Sequence, residues 1–230
     1  MTSRARLAAE KALWQRKVAF RHNRWTYYRD RSKQTPRVHT LRVKWFELLE
    51  QAKAKLGKIN AAYQRTAPRL TARDRAIAWE RSHVGVHEEP PGSNRGPLID
   101  RWQRVFGFLA APWCGIFAGN ALLAAGVKGV TSRIASVSAI EDDARAHRGC
   151  FFGYTPGAAP HALLGDLVIL FGRGIHVELI TKVYPDGSVD TIGGNTSATA
   201  GSGNQSDGGC VASHHRSAGE IHGVAHVRYP

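Results

Sequence analysis

Three residues of this 230-residue chain have the types and the chain order of a thiol catalytic set: Cys114, His176 and Asn195. Cys114 lies in Ala111-Pro112-Trp113-Cys114-Gly115-Ile116-Phe117, which continues through small and apolar residues to Gly126. Pro112 suits a helix entrance, because its fixed φ starts a helix and its missing N–H is not needed there. Gly126 suits the exit. The spacing predicts a short helix with Cys114 in its first turn, where free N–H groups and the positive end of the helix dipole meet. That setting favours the thiolate, the reactive form of cysteine. The same N–H groups can receive an oxyanion formed on an attacked carbonyl. Read alone, Cys114 is also a small apolar residue of a buried helix, since free cysteines usually pack that way. A base and a group that orients it would decide between the two.

Gly165–Phe171 reads as a strand, Gly172-Arg173-Gly174 as a tight turn, and Ile175–Val183 as the returning strand, rich in β-branched residues. Alternation puts His176, Glu178 and Ile180 on one face. Tyr184-Pro185-Asp186-Gly187-Ser188 is a turn of the Pro-Asp-Gly kind. Val189–Gly193 then forms a third strand and delivers Asn195 beside His176. Cysteine, histidine and asparagine in that order fit a nucleophile, its base and the base's orienter. Glu178 shares the face of His176 and is a candidate to support it, with a rim position the first expectation.

With these residues in view, the chain resembles the cysteine, histidine-dependent amidohydrolase/peptidase (CHAP) domains of bacteriophage endolysins. The resemblance rests on Pro112-Trp113-Cys114 before a small-residue helix and on Gly165-Asp166 before the hairpin that carries His176. It rests also on Ile192-Gly193-Gly194-Asn195-Thr196-Ser197 with the Gly/Ser-rich run behind it, and on the loop Glu88–Gly96. It covers about residues 71 to 230. It implies an α+β, papain-like fold of helices packed on an antiparallel sheet. It also implies hydrolysis of an amide or peptide bond in bacterial peptidoglycan. Cys114 would be the nucleophile, His176 the base and acid, and Asn195 the orienter. One departure stands out. Many relatives carry an acidic residue two positions before this asparagine or directly before it, where this chain has Gly193 and Gly194. A carboxylate third member is therefore not expected. The route implied is synthesis in the host cytoplasm and release to the wall through a separate holin. Two rival readings remain: an NlpC-type cysteine peptidase or acyltransferase, and a non-enzymatic basic protein that binds nucleic acid or the envelope.

Charge divides the chain. Residues 1–70 hold 18 Lys or Arg against 4 Asp or Glu, whereas residues 71–230 hold 14 of each. The first part is expected to be an α-helical hairpin, with Leu7, Trp14 and Val18 on one helix and Trp45, Leu48, Leu49, Ala52, Leu56 and Ile59 on a second, about Leu41 to Ala62. Thr35-Pro36 interrupts the two. A polar face with Arg16, Lys17, Arg21, Arg24, Arg29, Arg31, Lys44, Lys53, Lys55 and Lys58 attracts polyanions. Anionic envelope polymers are the first expectation, a membrane surface the second and nucleic acid the third. Trp25, Tyr27 and Tyr28 can stack on bases or staple the helices.

Thr71-Ala72-Arg73-Asp74 starts a helix that runs to about His83. Pro97 starts another, with Leu98, Ile99, Trp102, Val105 and Phe106 toward a core. The loop between supplies Glu89, Asn94 and Arg95 as candidate substrate contacts, and Trp113 beside Cys114 is expected equally as a groove wall or in the core. His214 and His215 are expected in a solvated loop, and His222 and His226 in a strand. Glu141-Asp142-Asp143 lacks the ligand spacing of a calcium loop and is expected to be a solvated or capping run. No metal or cofactor is expected. Cys150 and Cys210 are expected as buried thiols, because three cysteines make no disulfide framework. The first 24 residues carry no apolar segment of signal-peptide type and no stretch is long enough to span a bilayer, so neither is expected. A monomer is expected.

Overall fold

The computed structural model describes residues 3–30, 35–65, 70–158, 162–198 and 203–230. Arg31 of the basic face and residues 199–202 of the Gly/Ser-rich run lie outside them. The chain divides into two compact units, residues 1–69 and 70–230.

The first unit contains helices α1, Ser3–Arg29, and α2, Pro36–Arg65, which pack against each other. Helix α2 starts about five residues before the expected Leu41. Thr35 caps it, its hydroxyl accepting the Val38 N–H at 3.3 Å, and Pro36 occupies the first helical position, where its missing N–H is harmless. Pro36 therefore begins this helix. Val38, Leu49, Ala52 and Ile59 are buried. No helix among the described residues is long and apolar enough to cross a membrane.

The second unit is α+β. Helices α3, Ala72–Arg81, α4, Pro97–Val105, α5, Cys114–Ala124, and α6, Val137–Arg145, precede six strands. These are β1, Phe151–Pro156, β2, Leu167–Leu170, β3, His176–Val183, β4, Val189–Thr196, β5, Cys210–Arg216, and β6, Ile221–Val227. They form one antiparallel sheet in the order β1-β6-β2-β3-β4-β5. Strand β2 is buried at every residue, which accounts for its unbroken Leu-Val-Ile-Leu run. Leu167, Ile169, Val177 and Leu179 pack with α5 residues Ala118, Ala121 and Leu122. Val168, Leu170, Ile180 and Val224 form a separate cluster, as expected of alternate residues on opposite sheet faces.

Local chemistry sets the helix ends. Thr71 and Asp74 exchange the two bonds of a capping box at the start of α3. After α5, Gly126 adopts φ 84. The N–H groups of Gly126 and Val127 close on the Leu123 and Leu122 carbonyls, the Schellman arrangement that favours glycine. On α4, Ile99 and Trp102 are buried, but Val105 is 53% exposed. Val105 lies in the last turn, away from the contact with α5, so its expected core position is corrected.

Strand β5 was expected as a loop around His214 and His215. It is hidden in the sequence because its inward residues include His214 and Arg216, so polar types occupy the face that patterning expects to be apolar. His222 and His226 do lie in a strand, β6. Glu141, Asp142 and Asp143 lie on α6 and pair with Arg145, Arg173 and Arg133. Glu141 and Asp143 are buried, so the solvated reading is corrected for both. The three cysteines are free. Cys150 is buried, whereas Cys210 is only half-buried, its thiol donating to the Thr196 carbonyl at 2.9 Å.

Candidate active site

Helix α5 begins at Cys114, and its first backbone bond runs from the Phe117 N–H to the Trp113 carbonyl at 2.8 Å. The N–H groups of Cys114, Gly115 and Ile116 thus precede the helical ladder. The helix can seat this end deeply because Gly115 has no side chain. A Cβ there would stand 2.1 Å from the Ile134 carbonyl oxygen.

His176 opens β3 and is fully buried, and Cys114 is 5% exposed. Burial alone would lower the His176 pKa, but the adjacent Cys114 thiol and Glu178 outweigh it and raise it to about 9. Nδ1 of His176 makes no hydrogen bond of ordinary geometry. The Cys114 thiol therefore acts on the His176 ring, while no hydrogen bond fixes Nδ1. Nε2 is held by the Glu178 carboxylate at 3.2 Å.

Glu178 is the centre of a buried network. Its Oε1 faces His176 Nε2 and Arg216 Nη2. Its Oε2 accepts from Arg216 Nε at 2.9 Å and from the Thr191 hydroxyl. Burial raises the Glu178 pKa, but the His176 and Arg216 donors dominate and hold it down at about 2. A buried carboxylate left without donors would not stay ionised. Glu178 was expected at a rim. It is instead fully enclosed, because β3 lies inside the sheet and Arg216 reaches it from β5. Phe171, at φ 63, stacks on His176 with ring centroids 6.5 Å apart. The Arg216 guanidinium lies 5.3 Å from the centre of the same ring.

Asn195 is buried in β4. Strand β3 pairs Leu179 with Ile192, and continuing that register brings Asn195 opposite His176. However, Asn195 has φ 57 and its amide donates to Asp207 at 2.9 Å. Its Oδ1 has no hydrogen-bond partner. The hydrogen bond to the imidazole comes from Glu178, and Asn195, expected to orient the ring, makes none to it.

The four candidate substrate contacts behave differently from one another. Trp113 is completely buried, and its indole N–H donates to Glu88 at 2.9 Å. Its ring centroid is 6.0 Å from that of Trp102 and 6.2 Å from that of Phe117. Trp113 is therefore a core residue and not a groove wall. Arg95 is engaged with Asp100 through two bonds of 2.8 Å. Asn94 stands at φ 53, and its backbone carbonyl accepts from Gln103 at 2.6 Å. Glu89 is exposed and lines a cavity of about 430 Å³ with Val84, Val86, His87, Pro97 and Leu98. Of the four only Glu89 lines this cavity, its carboxylate 3.7 Å from His87 Nε2.

Comparison with known proteins gives no match. A scan against family models, a search of curated proteins and a search of solved structures all returned nothing similar.

Sequence reasoning missed Thr191, Arg216, Glu88 and Phe171, and it named Glu178 as a support for His176 but favoured a rim position for it. For Glu178 a signal existed, since it lies two residues after His176 on one strand and hence on one face. No local signal marks Arg216, which is 38 residues from its partner.

Proposed function

We propose that residues 70–230 form a papain-like, CHAP-type cysteine hydrolase acting on an amide or peptide bond of bacterial peptidoglycan, and that the chain works as a phage endolysin. The observation that carries the hydrolase reading is the chain of contacts from Cys114 through His176 to Glu178 and Arg216. The substrate assignment rests on the resemblance of the Cys114, His176 and Asn195 segments to that family. Host cytoplasm, followed by the wall after holin-dependent release, is the location that goes with it.

In this mechanism the Cys114 thiol passes its proton to His176. The thiolate attacks the substrate carbonyl, the C–S bond forms, and the electron pair moves to oxygen. The Cys114 backbone N–H, free at the helix start, holds that oxyanion. A donor of this kind contributes about 3 kcal/mol in the transition state. Collapse breaks the C–N bond, and the leaving amine takes the proton of His176. Water then attacks the thioester and gives a proton back to His176. The C–S bond breaks, releasing a carboxylic acid and restoring the thiolate. Glu178 keeps the ring in place and stabilises its charged form. Arg216 and Thr191 keep Glu178 ionised and fixed.

Mass spectrometry of purified peptidoglycan after digestion tests this reading. New termini at a sugar-linked amide or a peptide cross-link are expected with the wild-type chain and none with Cys114→Ser. Intact peptidoglycan in both digests, or equal cleavage by both, would overturn it.

A further inference from the structure

We propose that the α1–α2 hairpin is a docking surface for an anionic phospholipid bilayer. The inference is independent of the hydrolase reading, for it uses only the first unit. The hairpin carries a surface trough of about 400 Å³ lined by Leu13, Phe20, Trp45 and Leu48, with Arg16, Lys17 and Arg21 among them. Leu13 is 42% and Phe20 54% exposed, which is costly for side chains of this type unless something covers them. Leu13, Phe20 and Tyr27 recur every seven residues, close to two helical turns, so they share one stripe of α1. Tyr27 is also exposed, as are Val43 and Phe46 of α2.

The cations around the trough are not neutralised by acids. Two ion pairs occur among the described residues of the hairpin, Arg29–Asp30 and Lys53–Glu50. Arg21 donates instead to the Leu48 carbonyl at 2.6 Å, Lys17 lies 4.4 Å from the Trp14 ring centre, and the Arg24 guanidinium 5.5 Å from that of Phe20. The charged ends of Lys17 and Arg24 thus rest over aromatic rings with no carboxylate beside them, so cations and rings are presented together to a headgroup layer. Phosphate groups would meet Arg16 and Lys17, and the acyl boundary would cover Leu13, Phe20, Trp45 and Leu48. A charged polymer such as nucleic acid or a wall polyphosphate would match the cations. It would leave the aliphatic Leu13 and Leu48 uncovered, so the bilayer is the better fit.

The full chain should co-sediment with vesicles containing phosphatidylglycerol and not with pure phosphatidylcholine, and tryptophan emission should shift to the blue on binding. Leu13→Ser with Phe20→Ser should weaken binding at least about tenfold. Arg16→Gln with Lys17→Gln, a surface pair that leaves the apolar trough intact, should do the same and steepen no further with salt. Cys114→Ala should bind as the wild type does. The proposal falls if phosphatidylglycerol vesicles are not bound at low salt. It falls also if the Leu13/Phe20 pair binds like the wild type with unchanged helical circular dichroism, or if single-stranded DNA competes fully and is bound equally well by that pair.

Discussion

Gly193 and Glu178 occupy one space between them: a Cβ built on Gly193 would lie 2.5 Å from Cγ of Glu178 and 3.0 Å from its Oε1. The two residues sit side by side on neighbouring strands β4 and β3, beside the Leu179–Ile192 pair. Gly193 leaves this space open on β4, and the Glu178 carboxylate fills it from across the strand pair. Gly193→Ala should therefore displace a Glu178 side chain that four donors hold in place. A loss of about 1–3 kcal/mol of stability is expected, as for other overpacked interiors, with a fall in activity. The exchange variant Glu178→Gly with Gly193→Glu should recover part of the activity lost by Glu178→Gly alone. Urea unfolding and a turnover assay measure the two effects.

Glu178→Gln removes the charge that faces both His176 and Arg216. Activity should fall about 10²- to 10⁴-fold, the span between outer-shell and triad carboxylate substitutions. The pH profile carries the specific sign. With His176 raised to about 9, the imidazolium persists through neutral pH and serves as the acid for the leaving amine. Loss of Glu178 lowers that pKa, so the alkaline limb of the activity profile should move to lower pH. An unmoved limb would show that Glu178 is only packing.

Asn195→Gly separates the two candidates for the orienting role. Glycine accepts the φ of 57 without strain, so the fold should persist. The side chain lost makes one bond, to Asp207, a contribution of about 0.5–1.5 kcal/mol. Activity should fall no more than about tenfold, well short of Glu178→Gln. Steady-state kinetics of the two variants side by side provide the ranking, and an equal loss would restore Asn195 to the relay.

Glu80 of α3 is fully buried, and neither carboxylate oxygen has a hydrogen-bond partner. Burial, with a smaller push from Glu178, raises its pKa well above 4.5. The folded state therefore holds a proton that the unfolded chain releases above pH 4.5, and stability from this group declines as pH rises toward its folded pKa. Glu80→Met, close in volume, should add about 1–3 kcal/mol at neutral pH, the usual cost of an unpaired buried polar group. The gain should shrink in acid. Chemical denaturation at pH 4 and pH 8 checks both statements.

The hairpin and the second unit part at residues 69 and 70, where the charge balance of the sequence also changes. Local physics made much legible before any coordinates. Proline and glycine bracket α5, Thr71 and Asp74 cap α3, and β-branched residues with a Pro-Asp-Gly turn mark β3 and β4. These signals act over a few residues, so a single sequence carries them whole. Cys114 and His176 were legible for a related reason, because each sits at an element start that such signals define. The identity of the group behind His176 was not. Glu178 becomes an orienter only through Arg216 and Thr191, which arrive from other strands, and through the missing side chain of Gly193. Trp113 turns inward because Glu88, 25 residues upstream, offers a buried acceptor. Strand β5 escaped notice because its inward polar residues meet partners far along the chain. Chain-local preference determined where the elements and Cys114 lie, and long-range burial and pairing, which no window of sequence contains, decided which carboxylate meets His176.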